Sequence, residues 1–242
     1  MRSHLYSLPA AVETPEEALD APVPPIEAVL FDFANTLFRM VPTDVYLRRV
    51  WAAAGRDEAD LDVDATSACL RAAAQLPDVL AAQDGRDVSL ELHRESTRLW
   101  FGHVPQLADV FDLAYETILA QDSWYAYDDT VPVLRELAAR GVPIGVASDT
   151  VWDLRRDFAA VGLGEVVGAY ALSFQLGCEK PDPRMFLKPC ADLGVDPRRT
   201  LMVGDNPARD GGAAACGLRA FVLPTESRTG ERGLRDVLRL VG

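Results

Sequence analysis

Lysine is almost absent from this chain. Only Lys180 and Lys188 are lysines among its 24 basic residues, and the other 22 are arginines. Lys180 lies in the segment EKPDP. Because the chain uses arginine almost everywhere else, a cation with no specific contact at this position would more often be an arginine. We therefore expect Lys180 to contact a specific anionic group, whereas nothing in the sequence around Lys188 distinguishes it.

Cysteines and long apolar runs are also scarce. The four cysteines, at positions 69, 178, 190 and 216, form no CxxC pair and show no metal-ligand spacing, so we expect buried thiols rather than disulfides. No apolar stretch is long enough for a signal sequence or a membrane span. The sequence predicts a cytoplasmic protein with a loose N-terminal leader over residues 1–25.

Positive charge is in deficit. The chain has 24 basic residues against 37 acidic ones, a formal net charge of -13. Such a charge repels the phosphate backbone of nucleic acids and anionic lipids, which argues against both as partners. It also repels a phosphorylated small molecule, so a phosphate site would need a metal ion and a positioned cation.

Short apolar segments alternate with helical ones along most of the chain. Strands are predicted at 28–33, 143–148, 169–172, 200–204 and 219–223, and helices at 128–140, 152–161, 183–193 and 208–216. Residues 43–121 show only helical periodicity. The pattern predicts an α/β fold with a parallel sheet, helices on both of its faces and one helical insertion.

Polar side chains follow three of these strands. Asp32, Ser148 with Asp149, and Asp205 stand at the strand ends, and Asp210 lies in the first turn of the next helix. Ligands bind a parallel sheet at the carboxyl ends of its strands. We therefore expect the carboxylates of Asp32, Asp205 and Asp210 to converge there and hold Mg²⁺. Ser148 and Lys180 would bring a hydroxyl and a cation to a phosphoryl group.

Four segments together resemble the ordered motifs of the haloacid dehalogenase-like superfamily. They are DFANTL at 32–37, Ser148, Lys180 with the following Pro-Asp, and GDNPARD at 204–210. The match spans about 26–224. The resemblance implies a Rossmann-like core over 26–42 and 122–242 with a helical cap over 43–121.

The resemblance also implies roles for individual residues. Asp32 would be the nucleophile and a metal ligand, the Ala34 carbonyl and Asp205 would complete the protein ligands, and Asp210 would support the metal. Thr36, Ser148 and Lys180 would hold the transferring group, with Asn35 and Asp149 as further substrate-binding candidates. The implied activity is Mg²⁺-dependent hydrolysis of a small phosphorylated metabolite through an aspartyl-phosphate at Asp32, in a monomer or homodimer.

One position departs from the pattern of the family's phosphatases. They carry a second aspartate two residues after the nucleophile, which protonates the leaving group and then activates water, whereas this chain has Ala34. Such proton transfer is typically worth about 100- to 10,000-fold in rate. Asn35 replaces the usual glycine, a change that suits the loop because asparagine tolerates unusual backbone angles.

Two known branches also lack the second aspartate. Phosphonoacetaldehyde hydrolases have alanine there and use a cap lysine, but residues 41–121 contain no lysine. Metal-free 2-haloacid dehalogenases need no metal carboxylates, whereas Asp205 and Asp210 are both present here.

Three interpretations therefore stay open. A phosphate monoester hydrolase could take its protons from His93, His103 or Glu95 in the insertion, from Asp149, or from the substrate. Alternatively, the same scaffold could hydrolyse phosphonates or act at another carbon centre. The third interpretation is a catalytically impaired member that binds a metal ion and a ligand.

Overall fold

A five-stranded parallel sheet lies at the centre of the protein. The computed structural model describes residues 24–224 and 230–241, so most of the predicted N-terminal leader lies outside the described residues. The strands are β1 (Ala28–Phe31), β2 (Phe38–Met40), β3 (Trp124–Ala126), β4 (Ile144–Ser148), β5 (Ala169–Leu172), β6 (Thr200–Gly204) and β7 (Arg219–Val222). The sheet has the order β5-β4-β1-β6-β7 with every pairing parallel, which confirms the predicted α/β fold.

Four of the five strands of this sheet are apolar runs of the sequence. Every residue of β1, β4, β5 and β6 is buried, as expected for strands covered on both faces. Phe31 pairs with Val146 of β4 on one side and Val203 of β6 on the other. The carboxyl ends of three neighbouring strands therefore meet at one edge of the sheet.

Helices follow the strands as the sequence predicts, with bounds shifted by a few residues. The α-helices are α1 (Thr43–Ala53), α2 (Val63–Ala73), α3 (Pro77–Ala81), α4 (Leu90–Gly102), α5 (Pro105–Ala108), α6 (Phe111–Leu119), α7 (Thr130–Ala139), α8 (Arg155–Ala160), α9 (Ser173–Leu176), α10 (Arg184–Leu193) and α11 (Val237–Leu240). No described helix is long and apolar enough to cross a membrane.

Residues 43–119, called the helical insert below, contain α1 to α6 and have a hydrophobic cluster of their own. Its centre includes Leu47, Val50, Leu107 and Ala114, all with no exposed surface. At the two junctions with the sheet, β2 and β3 pair antiparallel, so that the chain leaves and returns along one two-stranded ribbon. The division into core and cap stays a prediction.

One predicted helix has a different geometry. The sequence predicts an α-helix over 208–216, whereas the segment Asp210–Cys216 is a 3-10 helix. Gly211 and Gly212 weaken the preference for an α-helix. A Cβ on Gly212 would lie 2.4 Å from the Cβ of Pro181, so the glycine lets this segment approach the loop that carries Lys180.

The cysteines agree with the sequence expectation in part. All four are free thiols; Cys178 and Cys190 are buried, whereas Cys69 and Cys216 are partly exposed.

Candidate active site

Three carboxylates converge at the carboxyl edge of the sheet. Asp32 follows β1, Asp205 follows β6, and Asp210 begins the 3-10 helix. One carboxylate oxygen from each residue lies within 4.8 Å of the others. Gly204 makes room for this arrangement, because a Cβ there would lie 2.1 Å from Cγ of Asp210.

Lys180 bridges two of these carboxylates. Its Nζ donates hydrogen bonds to Oδ1 of Asp32 at 2.7 Å and to Oδ1 of Asp210 at 2.6 Å. The lysine is almost completely buried. One ammonium group against three carboxylates leaves the cluster anionic, and hard oxygen donors of this kind are those that Mg²⁺ prefers.

Burial and charge repulsion shift the pKa values in the cluster. Burial, together with repulsion from Asp210, raises the pKa of Asp32 to about 7 even though Lys180 favours its ionised form. Burial and the same repulsion raise the pKa of Asp205. Burial alone would lower the pKa of Lys180, but its two carboxylate partners outweigh that effect and raise it. The cluster thus lacks sufficient positive charge, which a divalent cation would supply.

The other residues predicted to hold the transferring group lie on the same edge. Ser148 ends β4 and is buried. Thr36 is fully buried, and its Oγ1 has no hydrogen-bond partner within residues 24–224 and 230–241. Because an unpaired buried hydroxyl is costly, it suits a site that a ligand oxygen completes. Asn35 has a positive φ of 56°, which confirms the reason given for asparagine at this position.

Asp149 has structural partners in this arrangement. Its Oδ1 accepts a hydrogen bond from the backbone N of Lys180 at 2.9 Å, and its Oδ2 accepts one from Nη1 of Arg209 at 2.6 Å. The same guanidinium donates to Oε2 of Glu179 at 3.0 Å. Asp149 thereby positions the lysine loop, and its role in substrate binding stays a prediction.

A cavity of about 190 Å³ lies between this edge and the helical insert. Ala34 lines it, two residues beyond Asp32, and so does Asp149. The insert and the surrounding loops contribute the remaining walls: Phe33, Met40, Arg86, Asp87, His93, Thr97, Trp100, Ile118, Trp124, Thr150 and Trp152. Ala34 therefore lines a cavity that is also lined by an acidic residue and a histidine of the insert, Asp87 and His93.

Asp87 is fixed to the sheet side of the cavity through its backbone. Its N donates a hydrogen bond to Oε1 of Glu179 at 2.6 Å, and its carbonyl accepts one from Oγ of Ser173 at 2.6 Å. Its side chain lies 3.3 Å from Nε of Arg86. Burial is the largest influence and raises the pKa of Asp87; Arg86 opposes this, and Glu179 adds to it.

His93 lies beside Asp87 and lines the same cavity. Its Nε2 is 3.8 Å from Oδ1 of Asp87, and its Nδ1 is 2.8 Å from the hydroxyl of Tyr115. Burial, with a smaller contribution from Arg86, lowers the pKa of His93 to about 4. The imidazole is therefore neutral near pH 7.

The two other candidates from the insertion are not among the residues that line this cavity. His103 is on the surface, where its Nε2 lies 3.1 Å from Oδ2 of Asp78. Glu95 lines a separate surface depression.

Sequence reasoning missed Arg232. Its Nε donates to the carbonyl of Asn35 at 2.5 Å, and its backbone N donates to Oδ1 of the buried Asp129 at 2.9 Å. The guanidinium also lowers the pKa of Asp205 in opposition to burial. No sequence signal marks this residue, since about 200 positions separate it from the loop it holds.

Comparison with known proteins places this geometry in a family. A family model described as haloacid dehalogenase-like hydrolase matches residues 26–217. The phosphoserine phosphatase of Thermus thermophilus is 34% identical over 111 residues, 45% of this chain and 42% of that protein. The glyceraldehyde 3-phosphate phosphatase of Methanopyrus kandleri is 28% identical over 191 residues, 76% of this chain and 78% of that protein. The chain spans about half the length of the first curated relatives it matches.

Solved structures show the same fold. A haloacid dehalogenase-like phosphatase from Thermococcus onnurineus has a TM-score of 0.59 at 20% identity, covering 90% of this chain and 98% of that one. An L-2-haloacid dehalogenase has a TM-score of 0.63 at 19% identity, covering 90% and 99%. The family match over residues 26–217 establishes that the chain belongs to the haloacid dehalogenase-like hydrolases.

Proposed function

We propose that this protein is a Mg²⁺-dependent hydrolase of phosphate monoesters that uses Asp32 as its nucleophile. The observation that carries the proposal is the convergence of Asp32, Asp205 and Asp210 around the amine of Lys180. The curated relatives named as phosphatases support the same reaction class.

The donor set fits a hard divalent cation. Asp32, Asp205 and Asp210 would hold it, with the carbonyl of Ala34 as the fourth protein ligand predicted from the family. Bound Mg²⁺ would neutralise charge on the phosphoryl oxygens and on the nucleophile. It would also keep Asp32 ionised near neutral pH, because a nearby cation opposes the pKa rise that burial causes.

In the first half-reaction a carboxylate oxygen of Asp32 attacks phosphorus. A P–O bond to the aspartate forms while the P–O bond to the alcohol breaks, and the departing alkoxide takes a proton. The hydroxyls of Thr36 and Ser148 and the ammonium of Lys180 would stabilise the negative charge on the transferring group. Water then attacks the aspartyl-phosphate, loses a proton, and releases phosphate with Asp32 restored.

Both half-reactions need a group that donates or accepts a proton, and the methyl side chain of Ala34 can do neither. We assign this task to Asp87, which is buried and lines the same cavity as Ala34. Burial raises the pKa of Asp87, which is the direction that general acid catalysis near neutral pH requires. The resulting carboxylate would then accept a proton from the attacking water.

A catalytically impaired binding protein is the second candidate. The observation in its favour is that the side chain at position 34 is a methyl group, in a position where the phosphatases of the family carry an acid. In that case Mg²⁺ and phosphate would still bind, and turnover would be absent.

Phosphate release from a panel of phosphate monoesters, with and without Mg²⁺, tests the proposal. We expect Mg²⁺-dependent release that Asp32→Asn abolishes, since the amide is not a nucleophile. Asp44→Asn, on the exposed surface of α1, is the matched control and should behave as the unmodified protein. Equal rates with and without Asp32 would refute the nucleophile, and no release from any ester would favour the binding protein or carbon-centred chemistry.

A further inference from the structure

A second and larger cavity lies within the helical insert. It has a volume of about 530 Å³, within the range of small-molecule sites. The end of β2 and the residue after it, helices α1, α2, α4 and α6, and the two residues after α2 form its walls: Met40, Val41, Thr43, Tyr46, Ser67, Leu70, Arg71, Ala74, Gln75, Trp100, Phe101 and Ile118.

The interior of this cavity offers little to a charged ligand. The hydroxyl of Tyr46 donates to the carbonyl of Ala114 at 3.0 Å, and Nε1 of Trp100 donates to the carbonyl of Leu70 at 3.0 Å. Since their polar atoms are already bound to the backbone, both rings contribute apolar surface. These walls can bury an uncharged apolar group without the desolvation penalty that a charged group would incur.

The polar lining residues lie mainly at the rim. Thr43, Arg71 and Gln75 are exposed, and Arg71 is the only charged one among the described residues that line the cavity. The cavity therefore has an apolar interior and a polar opening, which is the usual composition of a ligand site.

This cavity adjoins the one that contains Ala34. The two share Met40, Trp100 and Ile118 as wall residues. None of the three carries a charge, and each keeps some exposed surface. A ligand that extends from one cavity towards the other would meet these three uncharged side chains at the junction.

We propose that the substrate is a phosphate monoester of an apolar alcohol, with its phosphate at Asp32 and its hydrocarbon part in the 530 Å³ cavity. This inference rests on the proposed function. It narrows the substrate from a small phosphorylated metabolite to an amphipathic ester, and it assigns the selection of that ester to the helical insert.

A series of n-alkyl phosphates tests the inference, from ethyl to decyl phosphate, with Mg²⁺ and below the concentrations at which micelles form. Each methylene buried is worth at most about fourfold in binding. We expect kcat/KM to rise more than 100-fold between ethyl and octyl phosphate. A flat profile across the series would overturn the inference even if every ester is hydrolysed.

A cavity-filling variant tests whether the dependence of kcat/KM on chain length arises in this cavity. Ala74→Trp, at the end of α2, should lower the ratio of kcat/KM for octyl phosphate to kcat/KM for ethyl phosphate at least tenfold. Ala72→Trp, an exposed residue on the same helix that does not line the cavity, should retain the full dependence. If Ala74→Trp retains it too, the hydrocarbon part binds elsewhere and the inference fails.

A binding measurement separates this inference from the proposed function. Titration calorimetry with n-decylphosphonate and ethylphosphonate, which carry no ester bond to cleave, requires no turnover. Tighter binding of the decyl compound, reduced by Ala74→Trp, supports the cavity assignment even if no phosphate ester is hydrolysed. Equal affinities would overturn it even if the phosphatase is active.

Discussion

Substitution of Asp87 tests the assignment of the proton carrier directly. Asp87→Asn keeps the size of the side chain and both tethers to the sheet side, because those tethers use the backbone N and carbonyl. The change therefore removes the transferable proton with little disturbance of the surrounding structure. The change gives up the charge of a carboxylate that lies 3.3 Å from Nε of Arg86 and 3.8 Å from Nε2 of His93.

The expected loss depends on the leaving group. General acid catalysis is worth about 100- to 10,000-fold, or about 3 to 5 kcal/mol in the activation free energy. An alkoxide needs the proton as it departs, so hydrolysis of an alkyl phosphate should fall by at least about 100-fold. Nitrophenolate is a stable anion, so formation of the aspartyl-phosphate from p-nitrophenyl phosphate should slow much less.

Single-turnover kinetics on both esters measures the difference. Asp84→Asn, an exposed residue three positions earlier, is the control and should lose nothing on either ester. Adding Ala34→Asp to Asp87→Asn should recover alkyl phosphate hydrolysis, because an acid then lies in the same cavity. Equal losses on the two esters, or no loss at all, would refute Asp87 as the proton carrier.

Three further outcomes follow from the contacts and pKa shifts described above. The pKa of His93 falls from 6.5 to about 4 on folding, so its contribution to stability is present above pH 6.5 and is lost as the pH falls towards 4; it is at most about 3 kcal/mol. Urea unfolding from pH 7 to 4 should show a smaller loss of stability in His93→Phe, and an unchanged pH profile would contradict the shift. Gly204→Ala should raise the Mg²⁺ concentration for half-maximal activity at least tenfold, since a Cβ would displace Asp210. Gly211→Ala, which meets nothing within 4 Å, should leave that concentration unchanged in the same titration. Arg232→Met should lower kcat by freeing the loop after β1, because the carbonyl of Asn35 loses its donor, and it should also lower the unfolding midpoint because a buried, hydrogen-bonded group is removed. A wild-type kcat would refute the positioning role of Arg232.

Much of the fold could be predicted from the sequence, because the local patterns of apolar and turn residues agree with the tertiary structure. The strand at 169–172 has the same bounds in the sequence prediction and the structure, and it lies between Gly168 and the helix that begins at Ser173. The convergence of Asp32 and Asp205 followed from the rule that parallel strands share their carboxyl edge.

The remaining features depend on contacts distant in sequence. The backbone of Asp87 meets Glu179 across 92 positions, and no periodicity reports such a pairing. The 3-10 geometry of 210–216 reflects the close approach of Gly212 to Pro181, which helical propensity alone does not reveal. Apolar periodicity predicted the helices of the insert but not the 530 Å³ cavity between them.

The shortage of lysine has a practical consequence for labelling. Lys180 has 3% of its side chain exposed and is bound to two carboxylates, whereas Lys188 has 45% exposed on α10. An amine-reactive dye should therefore modify Lys188 and the chain's terminal amine while sparing the carboxylate cluster. With Lys188→Arg as the companion variant, the protein offers a single side-chain attachment point for fluorescence or surface immobilisation, remote in sequence from Asp32 and requiring no added cysteine.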